Sequence, residues 1–197
     1  MYKYTQSWFD GNKPVWDSVI PNANISTILE VGSYEGNSAC YLIENLGAKR
    51  DIEIHCVDTW EGSIEHQEGG FAQADMSAVQ QRFTYNVETA TKKVNNNVNL
   101  VVHKGMSENI LPKLMSEGKQ GYFDLIYIDG SHQAPDVLYD AVVAFKLLKQ
   151  GGCMIFDDYL WSEPLPQGLD PIRCPKMAID AFLNIYCRQV KIMPISI

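Results

Sequence analysis

The sequence has no apolar run approaching the roughly 18 residues a membrane-crossing helix needs, so no membrane partner is expected. It has no basic excess: 16 Lys and Arg stand against 24 Asp and Glu, a net charge of -8. That argues against phosphate-backbone binding and so against a nucleic-acid partner. It has no Cys-x-x-Cys pair. The five cysteines, Cys40, Cys56, Cys153, Cys174 and Cys187, are scattered and odd in number. Zinc sites and disulfide frameworks are therefore disfavoured, and a reduced, cytoplasmic setting is expected. The first residues, MYKYTQSWFDGNKPVW, lack the apolar core of a signal peptide. What is present is 197 residues, 46% of them hydrophobic, enough for one domain with a substantial core.

Short apolar runs alternate with longer amphipathic ones. STILEVG (26–32), DIEIHCVD (51–58), NVNLVVHKG (97–105), FDLIYID (123–129) and GGCMIFDD (151–158) read as strands. Helical spacing covers 36–47, 75–90, 107–117, 134–149 and 176–187, and RQVKIMPIS (188–196) is a candidate sixth strand. The Gly-rich stretch EGSIEHQEGGF (61–71) is longer than most connections, as functional loops often are. This alternation predicts a doubly wound α/β domain, a mostly parallel Rossmann-like sheet in a three-layer α/β/α arrangement. One domain over 1–197 is expected: an N-terminal arm (1–24), a core (25–160) and a C-terminal loop, helix and edge strand (161–197). In such sheets ligands bind beyond the carboxyl ends of the strands, and four of the five ends carry a carboxylate.

The first such end, LEVGSYEGNSA (29–39), spaces Glu30, Gly32 and Gly36 as E-x-G-x-x-x-G. The glycines allow a sharp turn and close approach to a ligand. The G-x-G-x-x-G of dinucleotide enzymes is absent, which disfavours a dehydrogenase. Glu30 would repel a pyrophosphate but suits an ammonium or sulfonium group. Asp58 ends the next strand, where a carboxylate can accept from ribose hydroxyls. Plain turn glycines and a capping Asp58 are the alternative.

These residues resemble the class I methyltransferases that use S-adenosylmethionine, over roughly residues 25–160. The resemblance implies that Glu30, Gly32, Ser33 and Gly36 form the first cofactor motif, with Gly32 and Ser33 near the methionine moiety. It implies Asp58 at the ribose, the loop Gly105-Met106-Ser107 at the adenine, and Trp60 and Met106 flanking that base. Trp60 as a core aromatic is the other reading.

In FDLIYIDGSH (123–132) an apolar strand runs into Asp129 and His132, and the next strand ends in Asp157 and Asp158. Neighbouring strand ends lie only about 5 Å apart, so three carboxylates should meet, and a hard dication such as Mg²⁺ would resolve their repulsion. The pattern resembles the metal-dependent O-methyltransferases, of the catechol type and of the type acting on sugar and antibiotic hydroxyls. The D-G-S-H stretch is closer to the second. Carried over, Asp129, Asp157 and Asp158 bind the metal, and Asp129 with His132 forms the catalytic pair, His132 as general base. The catechol enzymes have asparagine where Asp158 stands. A turn, a helix-capping histidine and an Asp129 that contacts only the cofactor, orienting its ammonium through the backbone, are the alternative. The implied acceptor is a small-molecule hydroxyl: a sugar, a phenol or a secondary metabolite. A metal-independent methyltransferase acting on nitrogen or carboxylate, or a non-catalytic cofactor-binding protein, would share the nucleotide end.

Aromatics expected near the cleft are Tyr34, Trp60, Phe71, Tyr159 and Trp161. Trp8, Phe9 and Trp16 are expected to dock the arm, or to pack over the cofactor or a partner subunit. About ten residues follow the last helix, too few for the antiparallel strand pair that usually ends this class. An edge left open in this way would recruit a second copy, giving a homodimer.

Overall fold

A computed structural model describes residues 1–70 and 72–193. Phe71, one of the expected cleft aromatics, and the end of the expected sixth strand lie outside them. Five strands form the sheet: β1 (Thr27–Val31), β2 (Ile52–Asp58), β3 (Val98–Lys104), β4 (Phe123–Ile128) and β5 (Leu148–Phe156). Their order is β3-β2-β1-β4-β5, and every neighbouring pair is parallel. The sheet is thus wholly rather than mostly parallel. Strand order reverses between β1 and β4, which opens a crevice beyond their carboxyl ends.

The helices are α1 (Lys13–Val19), α2 (Asn37–Leu42), α3 (Val79–Thr91), α4 (Ser107–Ser116), α5 (Ala134–Leu147) and α6 (Pro175–Ile185). One face of the sheet, with Ile28, Ile54, Leu125 and Tyr127, packs on α1, α2 and α3. The other, with Leu29, Val57, Ile126 and Ile128, packs on α4, α5 and α6. Both faces are covered, which is why the strands read as near-continuous apolar runs rather than strict alternation.

One expectation changes. Residues 188–193 form no strand, so among the described residues β5 is paired on one side only. The arm docks through its aromatics. Asn12-Lys13-Pro14 starts α1, with proline where a missing N–H is harmless. Phe9 and Trp16 are buried edge-to-face against each other and Tyr41, and Trp16 also meets Tyr127 beneath the sheet. Trp8 alone stays exposed, at 53%.

Candidate active site

The strand tips are knitted by backbone bonds: Gly32 N–H to Val57 O (2.8 Å), Asp129 N–H to Val31 O (2.8 Å), Asp157 N–H to Ile128 O (3.0 Å) and Gly105 N–H to Asp58 O (2.9 Å). Above them lies a cleft of about 910 Å³, near the upper end of the 300–1,000 Å³ typical of small-molecule sites.

At one end is the glycine turn. Gly32 has φ +87°, and a Cβ there would stand 2.0 Å from the Asp129 carbonyl oxygen, so only glycine lets the turn lie against the β4 tip. The Asp58 carboxylate holds this turn. Its Oδ2 accepts from Ser33 N and Tyr34 N, both at 2.8 Å, and its Oδ1 from Trp60 N at 2.6 Å. At two acceptor sites per oxygen, Oδ1 keeps one for a ligand. Glu30 is fully buried behind the turn, off the cleft wall. It accepts from Ser33 Oγ (2.5 Å) and Ser38 Oγ (2.6 Å). Burial pushes its carboxyl up to about 7 against the pull of these hydroxyls. Gly36 also stands behind the wall, its α carbon facing Phe83.

Trp60 does not line the cleft. With φ 56° the chain doubles back there. The ring is 4% exposed, packs on Phe83, and donates its indole N–H to Tyr34 O at 2.9 Å. Gly105, Met106 and Ser107 do line it, with Met106 half-exposed. Pro112, inside α4, has no N–H for the Glu108 carbonyl one turn back. The Tyr139 hydroxyl donates to that carbonyl at 3.1 Å, tying α5 to α4 along this wall.

At the other end the acids meet as their positions require. One donor atom each from Asp129, His132 and Asp158 fall within 4.8 Å of one another. Asp157 is not in that trio, although it had been expected as a ligand. Its Oδ2 accepts from Asn12 Nδ2 at 2.6 Å and from the Tyr127 hydroxyl. That hydroxyl also contacts Asp129 Oδ2 at 2.9 Å, so a single phenolic proton is shared by two carboxylates. Burial, then the charges of Asp157 and Asp158, hold Asp129 well above the usual carboxylate range.

His132 is clamped. Nδ1 lies 2.7 Å from Glu65 Oε1, Nε2 lies 2.8 Å from Asp158 Oδ2, and the ring stacks on Trp161 at 4.1 Å. Burial alone would lower its pKa, but the bonds to Asp158 and Glu65 and their charges push it up to about 10. The expected neutral base is thus, in this arrangement, an imidazolium with both N–H groups donated. It also supplies the positive charge that clustered acids need.

A family profile described as "Methyltransferase domain" matches residues 29–159, from the Glu30 motif through Asp158. The chain belongs to this methyltransferase family. It is 35% identical over 68 residues to a "Probable caffeoyl-CoA O-methyltransferase 3" of Dictyostelium discoideum, covering 34% of this chain and 26% of that protein. The chain spans about half or less of the length of the curated relatives it matches. In fold it is similar to an O-methyltransferase from Bacillus cereus in complex with SAH, with TM-score 0.59, 18% identity and coverage of 93% of this chain and 70% of that one. It is also similar to a TDP-rhamnose 3'-O-methyltransferase of calicheamicin biosynthesis, with TM-score 0.54, 15% identity and coverage of 94% and 74%.

Two residues of this methyltransferase cleft escape sequence reasoning. Glu65, in the Gly-rich loop, is 2% exposed, and its Oε2 is buried without a partner. Nothing local marks it. Asp140 is likewise 2% exposed with Oδ1 unpartnered, and burial pushes its carboxyl up to about 7. It had a signal: a carboxylate on the buried stripe of α5, between Val137 and Ala141 and Ala144.

Proposed function

We propose that the protein transfers the methyl group of S-adenosylmethionine to a hydroxyl of a small molecule, with a divalent cation such as Mg²⁺ at Asp129 and Asp158. One observation carries this reading. The Gly32 turn, where a methyl donor would lie, packs directly on Asp129, the first member of the acid cluster. Donor and acceptor groups would then meet across one residue contact. Gly32 and Ser33 would face the methionine moiety, Asp58 Oδ1 a ribose hydroxyl, and Met106 and Ser107 the adenine.

The acid cluster fits a hard cation. Its donors are mostly oxygen, it is partly desolvated, and the burial and neighbouring carboxylates that raise the Asp129 carboxyl are a conflict a cation would relieve. When bound, the cation would act as a Lewis acid toward the acceptor hydroxyl and lower its pKa. The chain's residues do the rest. With Asp158 turned to the cation, Nε2 of His132 would lose its carboxylate partner and give up its proton to solvent, while Glu65 keeps Nδ1 oriented. The neutral imidazole would then take the hydroxyl proton. The oxygen attacks the methyl carbon from the side opposite sulfur, the carbon–sulfur bond breaks, and its electron pair stays on sulfur. Alignment of this kind can remove about 7–11 kcal/mol of barrier.

A second reading, metal-independent transfer, is favoured by the clamp itself, since His132 already bridges Glu65 and Asp158 and offsets one of their two charges. Calorimetric titration with S-adenosylhomocysteine, then turnover on a panel of hydroxyl acceptors with and without EDTA, separates the readings. No cofactor binding ends both, full turnover in EDTA selects the second, and binding without turnover leaves a cofactor-binding protein. The five unpaired cysteines support a reduced, cytoplasmic setting. The β5 edge supports a homodimer, which light scattering would test.

A further inference from the structure

Two adjacent carboxylates beyond the end of β5 meet different partners. Asp158 stands at φ 56°, the left-handed region that a non-glycine residue rarely adopts, so the chain turns sharply there. Its Oδ2 lies 2.8 Å from His132 Nε2. Asp157 is held on both oxygens. Oδ1 accepts from the Asp158 backbone N–H at 2.9 Å, and Oδ2 accepts from the Asn12 amide at 2.6 Å and from the Tyr127 hydroxyl. The same hydroxyl lies 2.9 Å from Asp129 Oδ2.

The side-chain donors are themselves fixed. Tyr127 is fully buried, and the Trp16 ring meets its ring edge-to-face at 4.8 Å. Asn12 stands about one helical turn before Trp16, and its carbonyl accepts the Trp16 N–H at 3.0 Å. The short segment 12–16 thus supplies both the amide on Asp157 and the indole that props the phenol. A carboxylate with three donors does not turn freely toward a cation, because each of those bonds has to be given up.

The number of carboxylates on offer decides which dication suits. Mg²⁺ is bound through about one or two of them and keeps several waters in a tight octahedron, whereas Ca²⁺ takes about six to eight oxygens, with carboxylates often bidentate. With Asp157 withheld, Asp129 and Asp158 remain, and one oxygen of Asp129 is already on Tyr127. A third carboxylate would tighten any cation and fill a place that the acceptor hydroxyl needs. Resting on the cation reading above, we propose that Tyr127 and Asn12 are the cation-selectivity residues of this site: by holding Asp157 away they reserve it for a small dication that keeps its waters, Mg²⁺ or Mn²⁺, against Ca²⁺. Both are positioning residues, acting through Asp157.

The test is calorimetric titration of the folded protein, loaded with S-adenosylhomocysteine, with magnesium chloride and separately with calcium chloride. Wild type should bind Mg²⁺ at least as tightly as Ca²⁺. Tyr127→Phe and Asn12→Ala each loosen the hold on Asp157. They should raise Ca²⁺ affinity roughly tenfold or more and Mg²⁺ affinity less, so that the preference shifts. Adding Asp157→Asn to either variant should cancel the shift. A merely structural role would weaken both cations together and leave their ratio alone. If Tyr127→Phe does not fold, Asn12→Ala, at a half-buried position outside the core, decides by itself. Wild type favouring Ca²⁺, a ratio unchanged in the variants, or a shift that survives Asp157→Asn overturns the proposal. If wild type binds S-adenosylhomocysteine but neither cation, the cation reading falls and this proposal with it, while the methyltransferase reading stands.

Discussion

Gly32 and Asp129 are in such close contact that no side chain fits between them: a Cβ on the glycine would stand 2.0 Å from the Asp129 carbonyl oxygen and 2.7 Å from the Gly130 α carbon. The neighbour is backbone within a parallel pair, so it cannot swing aside. Gly32→Ala therefore combines a left-handed φ with a steric clash. It should cost at least about 2 kcal/mol of stability and abolish S-adenosylhomocysteine binding, read by urea denaturation and calorimetry. Wild-type affinity in this variant would remove the turn from the cofactor site.

Asp157 and Asp158 are adjacent but should behave differently. Asp158→Ala should remove Mg²⁺ binding, measured by calorimetric titration of the folded protein, and leave S-adenosylhomocysteine affinity nearly unchanged. Asp157→Ala takes this acceptor from the Asn12 amide and leaves the Tyr127 hydroxyl with Asp129 alone. It should destabilise by about 1–3 kcal/mol while Mg²⁺ binding persists. The reverse assignment would place the cation on Asp157.

The His132 clamp makes stability depend on pH. Its folded pKa, about 10, lies above its ordinary 6.5. The stabilisation is therefore complete below about 6.5 and is lost as pH rises through about 10. Thermal unfolding of wild type and His132→Asn across this window should show a gap that is widest at the acid end and narrows toward the alkaline end. A gap that widens with pH contradicts the imidazolium.

Glu30 runs the same way, in a lower pH window. Its folded pKa, about 7, lies above its ordinary 4.5, so the folded state holds the proton longer and stability falls as pH rises between those values. Glu30→Gln keeps an acceptor oxygen for one of Ser33 and Ser38, presents an N–H to the other hydroxyl, and carries no charge. It should be more stable than wild type above pH 7, by roughly 1–3 kcal/mol, and show no gain at the acid end of the window. Denaturant titrations at both ends check this.

Much of this was legible in the sequence because a parallel sheet leaves strong marks. Strands covered on both faces are apolar throughout, and the acids at their tips cannot be core, so β1, β2 and β4 and the carboxylates Asp58 and Asp129 could be read directly. What could not be read depends on contacts between distant segments. Trp60 looks like a cleft aromatic until Asp58 captures its N–H and turns the ring onto Phe83. Asp157 looks equivalent to Asp158 until Tyr127 and Asn12 claim it. The pKa expected of His132 held only for an imidazole without Glu65, which reaches it from 67 residues away. The short α1 has little helical signal of its own, and its burial of Trp16 comes from the sheet it docks on.

The Asn12–Asp157 bond joins positions 145 apart in the chain. Since Asp157 is fixed only when β5 has paired with β4, Asn12 must wait for a segment made much later before it settles. Assembly of this wall of the cleft is then a closing step, and a nascent chain stopped before β5 would have its sheet begun and its reaction end unmade.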